Sequence, residues 1–226
     1  MTHPGRRFDA VLFDLDGVLV DSEPWWNESR VAFAAARGLG WSHEDQALCM
    51  GGNSLEWSEI MRARLGLEGA PLEAIGEEVV AGVVHRYRER PAPILDDAPA
   101  QVRRIARDRP VAIASSSHRD VIDAAVAALG LADVMAAIVS SDEVARGKPA
   151  PDVYLLAASR VGVHPARCLV VEDSINGVRA GKASGATVVL VPSVSVPAPA
   201  EAHAIADHVI SSLAALDPDV LEPAPA

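Results

Sequence analysis

Asp14 and Asp16 stand one residue apart at the end of the apolar run Val11-Leu12-Phe13, and Gly17 follows at once. Two carboxylates at that spacing are costly to hold together unless a cation neutralises them. Three further segments carry groups of complementary chemistry: Ser115-Ser116-Ser117, Lys148 within Gly147-Lys148-Pro149, and Glu172-Asp173. Acids alone suggest a divalent cation; acids with a lysine and hydroxyls suggest a cation together with an anionic group. Hard carboxylate oxygens favour Mg²⁺, which keeps several waters and takes substrate phosphate as a ligand. Brought together, this set would do phosphoryl chemistry. Each segment also has a plainer reading. Asp-Gly is a turn signal, the serines suit a polar turn, Lys148 suits a solvated loop, and Glu172-Asp173-Ser174 suits a helix N-terminus.

The elements that must position these residues follow from the hydrophobic pattern. A β-branched and aromatic run that stops on Asp14 reads as a buried strand delivering its last residues to a surface. Ser22-Glu23-Pro24 starts a helix predicted to reach about Arg37, with Gly38 as its stop. A second helix begins near Asn53-Ser54, with Trp57, Ile60, Met61 and Leu65 on one face, and a third apolar-periodic segment lies between Leu72 and Tyr87. Pro91-Ala92-Pro93 then marks a boundary. Beyond it, strands at Val111–Ala114, Ala137–Val139, Cys168–Val171 and Val188–Val191 alternate with helices, and Val209-Ile210 is placed as an edge strand. Alternation of this kind predicts βαβ units. The expected fold class is α/β: a Rossmann-like parallel sheet core with helices on both faces, plus an inserted small α-helical cap. Residues 1–20 and 91–226 form the core and residues 21–90 the cap. Ligands of open α/β sheets bind at the carboxyl ends of the strands, and Asp14, Asp16, Ser115, Lys148, Glu172 and Asp173 all fall at such ends.

The 226 residues are half hydrophobic, with an ordinary charged fraction of 23%, as a packed core requires. A net charge of −11 argues against a nucleic-acid partner. No stretch approaches the roughly 18 uncharged apolar residues of a spanning helix. No secretory leader is expected either, because Asp14 and Asp16 interrupt the apolar run after Arg6-Arg7. Cys49 and Cys168 have no metal-ligand spacing and read as reduced, buried thiols of a cytoplasmic protein.

These residues closely resemble the motifs of the haloacid dehalogenase superfamily. Asp14-Leu15-Asp16-Gly17-Val18 matches its first motif and Ser115 its second; Lys148 in Lys148-Pro149-Ala150-Pro151-Asp152 matches the third, and Val170-Val171-Glu172-Asp173-Ser174 the fourth. The resemblance covers essentially the whole chain, and it is strongest to the subgroup of β-phosphoglucomutase and sugar-phosphate phosphatases. It implies that Asp14 is a nucleophile forming an aspartyl-phosphate. Asp16 would protonate the leaving oxygen and then activate water or an alcohol. Mg²⁺ would be held by the Asp14 carboxylate, the Asp16 backbone carbonyl and Asp173, with Glu172 direct or through water. Ser115 and Lys148 would bind the non-bridging phosphoryl oxygens, with Ser116 and Ser117 beside the substrate. Members that dehalogenate carbon or cleave phosphonates lack an acid at the position of Asp16, so its presence argues for phosphate esters.

His118 and Arg119 follow the serines where the mutases of this subgroup hold a second phosphate, although a helix start explains them too. Gly51 and Asn53, in Gly51-Gly52-Asn53, either face the site or make a plain turn. Trp25 and Trp26 are expected in the core of the cap. The mutases carry a histidine where this chain has Trp26, and a cap arginine after a turn where this chain has Asn53-Ser54. Both departures favour a phosphatase of a small phosphorylated metabolite, with a sugar-phosphate mutase as the alternative. An inactive regulatory member would lack the nucleophile, a metal ligand or the lysine, and none is missing. No protein partner is evident.

Overall fold

Every residue of β1 (Ala10–Phe13) is buried, and its side chains alternate between two separate apolar clusters. Val11 and Phe13 join one cluster while Ala10 and Leu12 join the other, as the two-residue period of a strand dictates. A strand apolar on both faces belongs in the middle of a sheet covered twice. The computed structural model, which describes residues 6–50, 52–193 and 195–223, places it there.

After β1 the chain forms α1 (Glu23–Ala35), α2 (His43–Cys49), α3 (Ser54–Arg64) and α4 (Leu72–Glu89). It then alternates through α5 (Ala98–Ala106), β2 (Val111–Ser115), α6 (Arg119–Ala128), β3 (Met135–Ser140), α7 (Asp152–Val161), β4 (Cys168–Glu172), α8 (Ile175–Ser184), β5 (Thr187–Leu190), α9 (Ala200–Ile205) and β6 (His208–Val209). The strand order is β3-β2-β1-β4-β5-β6, and every adjacent pair is parallel. The order reverses at β1, which pairs with β2 on one side and β4 on the other. The crevice beyond the carboxyl ends of β1 and β4 is therefore the switch point at which such sheets take ligands.

The helices before α5 pack on one another, and α4 also packs against α6. Trp25 meets Tyr87 edge-on at 4.9 Å and Trp26 meets Trp57 at 5.8 Å. Trp57, Met61 and Leu65 are buried on one face of α3, as their spacing predicts, with Ile60 partly buried beside them. The chain enters and leaves this set of helices through paired segments: Asp21 N donates to Pro93 O at 2.8 Å, Leu95 N donates to Leu19 O at 3.1 Å, and Val20 bridges Ile94 antiparallel. At the other side, Ser54 Oγ donates to Asp142 Oδ2 at 2.9 Å, so α3 touches the loop after β3.

Two helices were not expected from the sequence. The seven residues of α2 are too few to show an apolar stripe, and their capping box uses Asp45 where Glu or Gln is usual. The six-residue α9 gives no periodic signal for the same reason. The edge strand covers His208–Val209, one residue earlier than expected. The Pro/Ala-rich end, 222–226, reads as a frayed tail in the sequence; Glu222 pairs with Arg7 at 2.6 Å and its carbonyl meets His208 Nε2 at 2.8 Å, while residues 224–226 lie outside the described residues.

Close packing of α8 on the sheet rests on Gly181. A Cβ there would lie 2.7 Å from Val188 Cγ2 and 3.1 Å from Val170 Cγ1, both on fully buried residues. Gly181→Val is expected to cost about 1–3 kcal/mol through overpacking. Urea unfolding checks this as a lowered midpoint at an unchanged m-value.

Candidate active site

Asp14 follows the last residue of β1, and its N–H continues the parallel ladder by donating to Val171 O at 2.9 Å. Its side chain is buried at the end of the strand, where Lys148 Nζ lies 3.0 Å from Oδ1. The same ammonium donates to Glu172 Oε1 at 2.6 Å and sits 4.9 Å from the centre of the Tyr154 ring. Burial alone would lower the lysine, but the two carboxylates outweigh it and hold Lys148 above its ordinary value. Burial pushes Asp14 up to about 7; Lys148 pulls it back, while Glu172 and Asp16 add to the rise.

Glu172 is wholly enclosed, and both of its oxygens are engaged. Oε1 accepts from Lys148 and from the Tyr154 hydroxyl, each at 2.6 Å. Oε2 accepts from Asp173 N at 3.0 Å, Ser174 N at 3.2 Å and Ser174 Oγ at 3.1 Å. Ser174 caps α8 by accepting from Gly177 N at 3.1 Å. The helix-start reading of this segment therefore holds, and the same residues stand at the end of β4. The carboxylate has room because residue 177 is glycine: a Cβ there would fall 1.7 Å from Glu172 Oε1.

Asp173 turns the other way, into the cavity, and its carboxylate accepts no hydrogen bond among the described residues. Burial raises it well above its ordinary range, and the nearby Glu172 and Asp14 charges push the same way. Gly17, at φ +81°, leaves the space it occupies, since a Cβ would lie 1.9 Å from Asp173 Oδ2. Oxygens of Asp14, Glu172 and Asp173 lie within 4.8 Å of one another, with one lysine between two of the three acids. A divalent cation suits that excess of buried hard oxygens. Asp14 and Asp173 are the ones with capacity left for it, because Glu172 spends both oxygens on Lys148, Tyr154 and the start of α8.

Asp16 is held by hydroxyls. Ser22 Oγ donates to Oδ1, and Ser117 Oγ at 2.6 Å and Ser115 Oγ at 3.4 Å donate to Oδ2. Ser115 Oγ also accepts from Ser117 N at 3.0 Å, which tightens the turn after β2.

Asp14, Asp16, Ser115, Ser116, Ser117, Lys148 and Asp173 line one cavity of about 250 Å³. Glu172 stands behind Lys148. Asn53 does not line the cavity; it caps α3, accepting from Glu56 N at 3.0 Å. His118 and Arg119 do not line it either: they begin α6, with His118 Nδ1 accepting from Asp120 N at 3.2 Å and Arg119 Nε donating to Asp123 at 2.8 Å. The expectation for Gly51 falls outside the described residues, while its neighbour Gly52 does line the cavity. Trp26 and Trp57 are core and cavity wall at once.

Sequence reasoning missed Tyr154, Ser22, Glu23 and Arg30. Tyr154 sits in the apolar stripe of α7 with nothing to mark its hydroxyl as useful. Arg30 had a signal: it follows Trp26 by four residues on α1, where an apolar residue would be expected on the buried face. Cys49 and Cys168 are buried and unpaired, as expected. Among the described residues, no helix is long and apolar enough to cross a membrane.

Comparison with known proteins places the chain in one family. The family described as haloacid dehalogenase-like hydrolase matches residues 8–185. Fructose-1-phosphate phosphatase YqaB of Escherichia coli (strain K12) is 33% identical over 185 residues, 80% of this chain and 94% of that protein. Hexitol phosphatase B of the same organism is 30% identical over 191 residues, 83% and 85% of the two chains. The solved structure of CbbY from Rhodobacter sphaeroides in complex with phosphate superposes with a TM-score of 0.80 at 27% identity, covering 92% of this chain and 96% of that one.

Cation binding has a direct readout in stability. An acid raised in the folded state contributes stability that is lost as pH climbs from the ordinary carboxylate range through about 7, the value reached by Asp14. A cation that needs the ionised carboxylate competes with that proton. Mg²⁺ is therefore expected to raise Tm more at about pH 8 than at about pH 5.5. Asp173→Asn should flatten the response at both. An equal shift at the two pH values would contradict the assignment.

Proposed function

Because the chain belongs to the haloacid dehalogenase-like hydrolases, we propose that it is a Mg²⁺-dependent phosphatase of a small phosphorylated metabolite, of the sugar-phosphate class. The observation that carries this reading is the buried Asp14–Lys148–Glu172 array beside a hydroxyl-held Asp16. That array pairs a nucleophile with a fixed cation and places a second acid on the same short segment. The relatives named for fructose-1-phosphate and hexitol substrates support the substrate class.

In this reading Asp14 attacks phosphorus, the bond to the ester oxygen breaks, and Asp16 gives its proton to the departing alcohol. Asp16 then takes a proton from water, which attacks the phosphorus of the aspartyl-phosphate and releases inorganic phosphate with Asp14 restored. Lys148 neutralises charge on the non-bridging oxygens, with Ser115 and Ser116 at the rim beside it; Ser117 and Ser22 orient Asp16. When bound by Asp14, Asp173 and the Asp16 carbonyl, Mg²⁺ supplies further neutralisation of the phosphoryl charge. Glu172 acts through Lys148 as its anchor. Residues 21–90 serve as a cap whose helices α1 to α3 wall the cavity and limit access of bulk water. A cytoplasmic location belongs to the same proposal and rests on the two unpaired thiols.

The test is phosphate release from a panel of phosphorylated sugars, polyols and glycolytic acids, with Mg²⁺ or with chelator. Release is expected only with Mg²⁺ and is abolished in Asp14→Asn. Lys148→Met should lower kcat/KM on the order of 10²–10³-fold, as loss of one transition-state stabiliser does. Hexose-phosphate isomerisation outrunning phosphate release would instead make the protein a mutase.

A further inference from the structure

Arg30 projects from the middle of α1 into the wall of the cavity, with its side chain only 4% exposed. Its guanidinium lies 5.2 Å from the centre of the Trp26 ring and 5.4 Å from that of Trp57, so the two indoles fix its plane. Nε and Nη1 are fully enclosed and make no hydrogen bond among the described residues. The one acid nearby, Glu23, stays 3.8 Å from Nη1, beyond hydrogen-bond reach, and its Oε1 already accepts from Gln46. Arginine keeps its charge in such a setting, and unfilled buried donors on a cation are expensive. Of the residues that line the cavity, only Arg30 and Lys148 are cationic. Lys148 is committed to Asp14 and Glu172 at 3.0 and 2.6 Å, whereas Arg30 has one looser ion pair, to Glu23 at 3.8 Å, and no hydrogen bond among the described residues.

We propose that Arg30 is a specificity-determining residue that binds a second oxyanion of the substrate, a carboxylate or a further phosphate, on the cavity wall contributed by α1. The preferred substrates are then phosphomonoesters carrying another anionic group, held between Lys148 at the strand ends and Arg30 on the helical insert. This rests on, and narrows, the phosphatase reading above. The apolar surroundings of Trp26, Trp57, Cys49 and Met50 strengthen a charged contact made there by excluding water.

The experiment measures binding, so that turnover does not enter. Asp14→Asn protein with Mg²⁺ is titrated calorimetrically with two matched pairs: 3-phosphoglycerate against glycerol 3-phosphate, and fructose 1,6-bisphosphate against fructose 1-phosphate. The two-anion member of at least one pair is expected to bind tenfold or more tightly, and the pair that responds identifies carboxylate or phosphate as the partner. In Arg30→Met on the same background the ratio should fall to about one; Arg30→Lys should keep part of it, and replaces Arg30→Met if that variant does not fold. Ratios near one for both pairs with Arg30 intact overturn the proposal, as does a preference that survives Arg30→Met. Absence of hydrolysis in the parent protein, with the Arg30-dependent preference intact, would remove the phosphatase reading and leave the anion site standing.

Discussion

One ammonium group between two buried carboxylates is the constraint on which the site depends. Lys148 lies 3.0 Å from Asp14 and 2.6 Å from Glu172 with almost no access to water. Removing either acid would leave a buried charge short of a partner, and removing the lysine would leave two acids facing each other. The surrounding architecture reads as provision for this triad. Parallel pairing of β1 with β4 brings Asp14 and Glu172 to one edge. The Tyr154 hydroxyl and the start of α8 satisfy the remaining capacity of Glu172, and glycine at 177 makes the room. Asp173, the next residue along and just past the end of β4, faces the cavity over Gly17. A two-residue segment thus supplies one acid that anchors the lysine and one that stays open.

Most of this framework was legible in the sequence because it rests on short-range rules. Strand ends announced themselves as apolar runs terminated by Asp14, Ser115 and Glu172, and glycines at 130, 162 and 185 follow three helices in left-handed conformation, a local stop signal of the kind glycine supplies. What escaped the reading depends on distance in the fold. The sequence places Glu172 in an acidic pair beside a cation site but does not show that Tyr154, eighteen residues earlier, spends one of its oxygens. His118 and Arg119 looked chemical by type and by position after the serines, yet helix α6 turns them away toward Asp120, Asp123 and Glu143. Conversely, Arg30 sits in a helical stripe that pattern reasoning fills with apolar residues, and the indoles of Trp26 and Trp57 together with the Glu23 carboxylate accommodate its charge there.

The helical insert has a connection of unusual economy. Residues 19–21 and 93–95 run side by side, hydrogen-bonded to each other, where the chain departs from the sheet and returns. The insert thus leaves and rejoins the sheet at one ribbon, and it packs back on the core through α4 against α6 and through Ser54 on Asp142. Its shape can change without altering the order of any strand, and the buried carboxylates Asp14, Glu172 and Asp173 lie outside it. Selection acting on such a molecule has two nearly separate targets. Change in α1 to α3 alters the wall facing the cavity, while the strand order that gathers Asp14, Lys148 and Glu172 is kept; Ser22, which holds Asp16, is the point where the two are tied together.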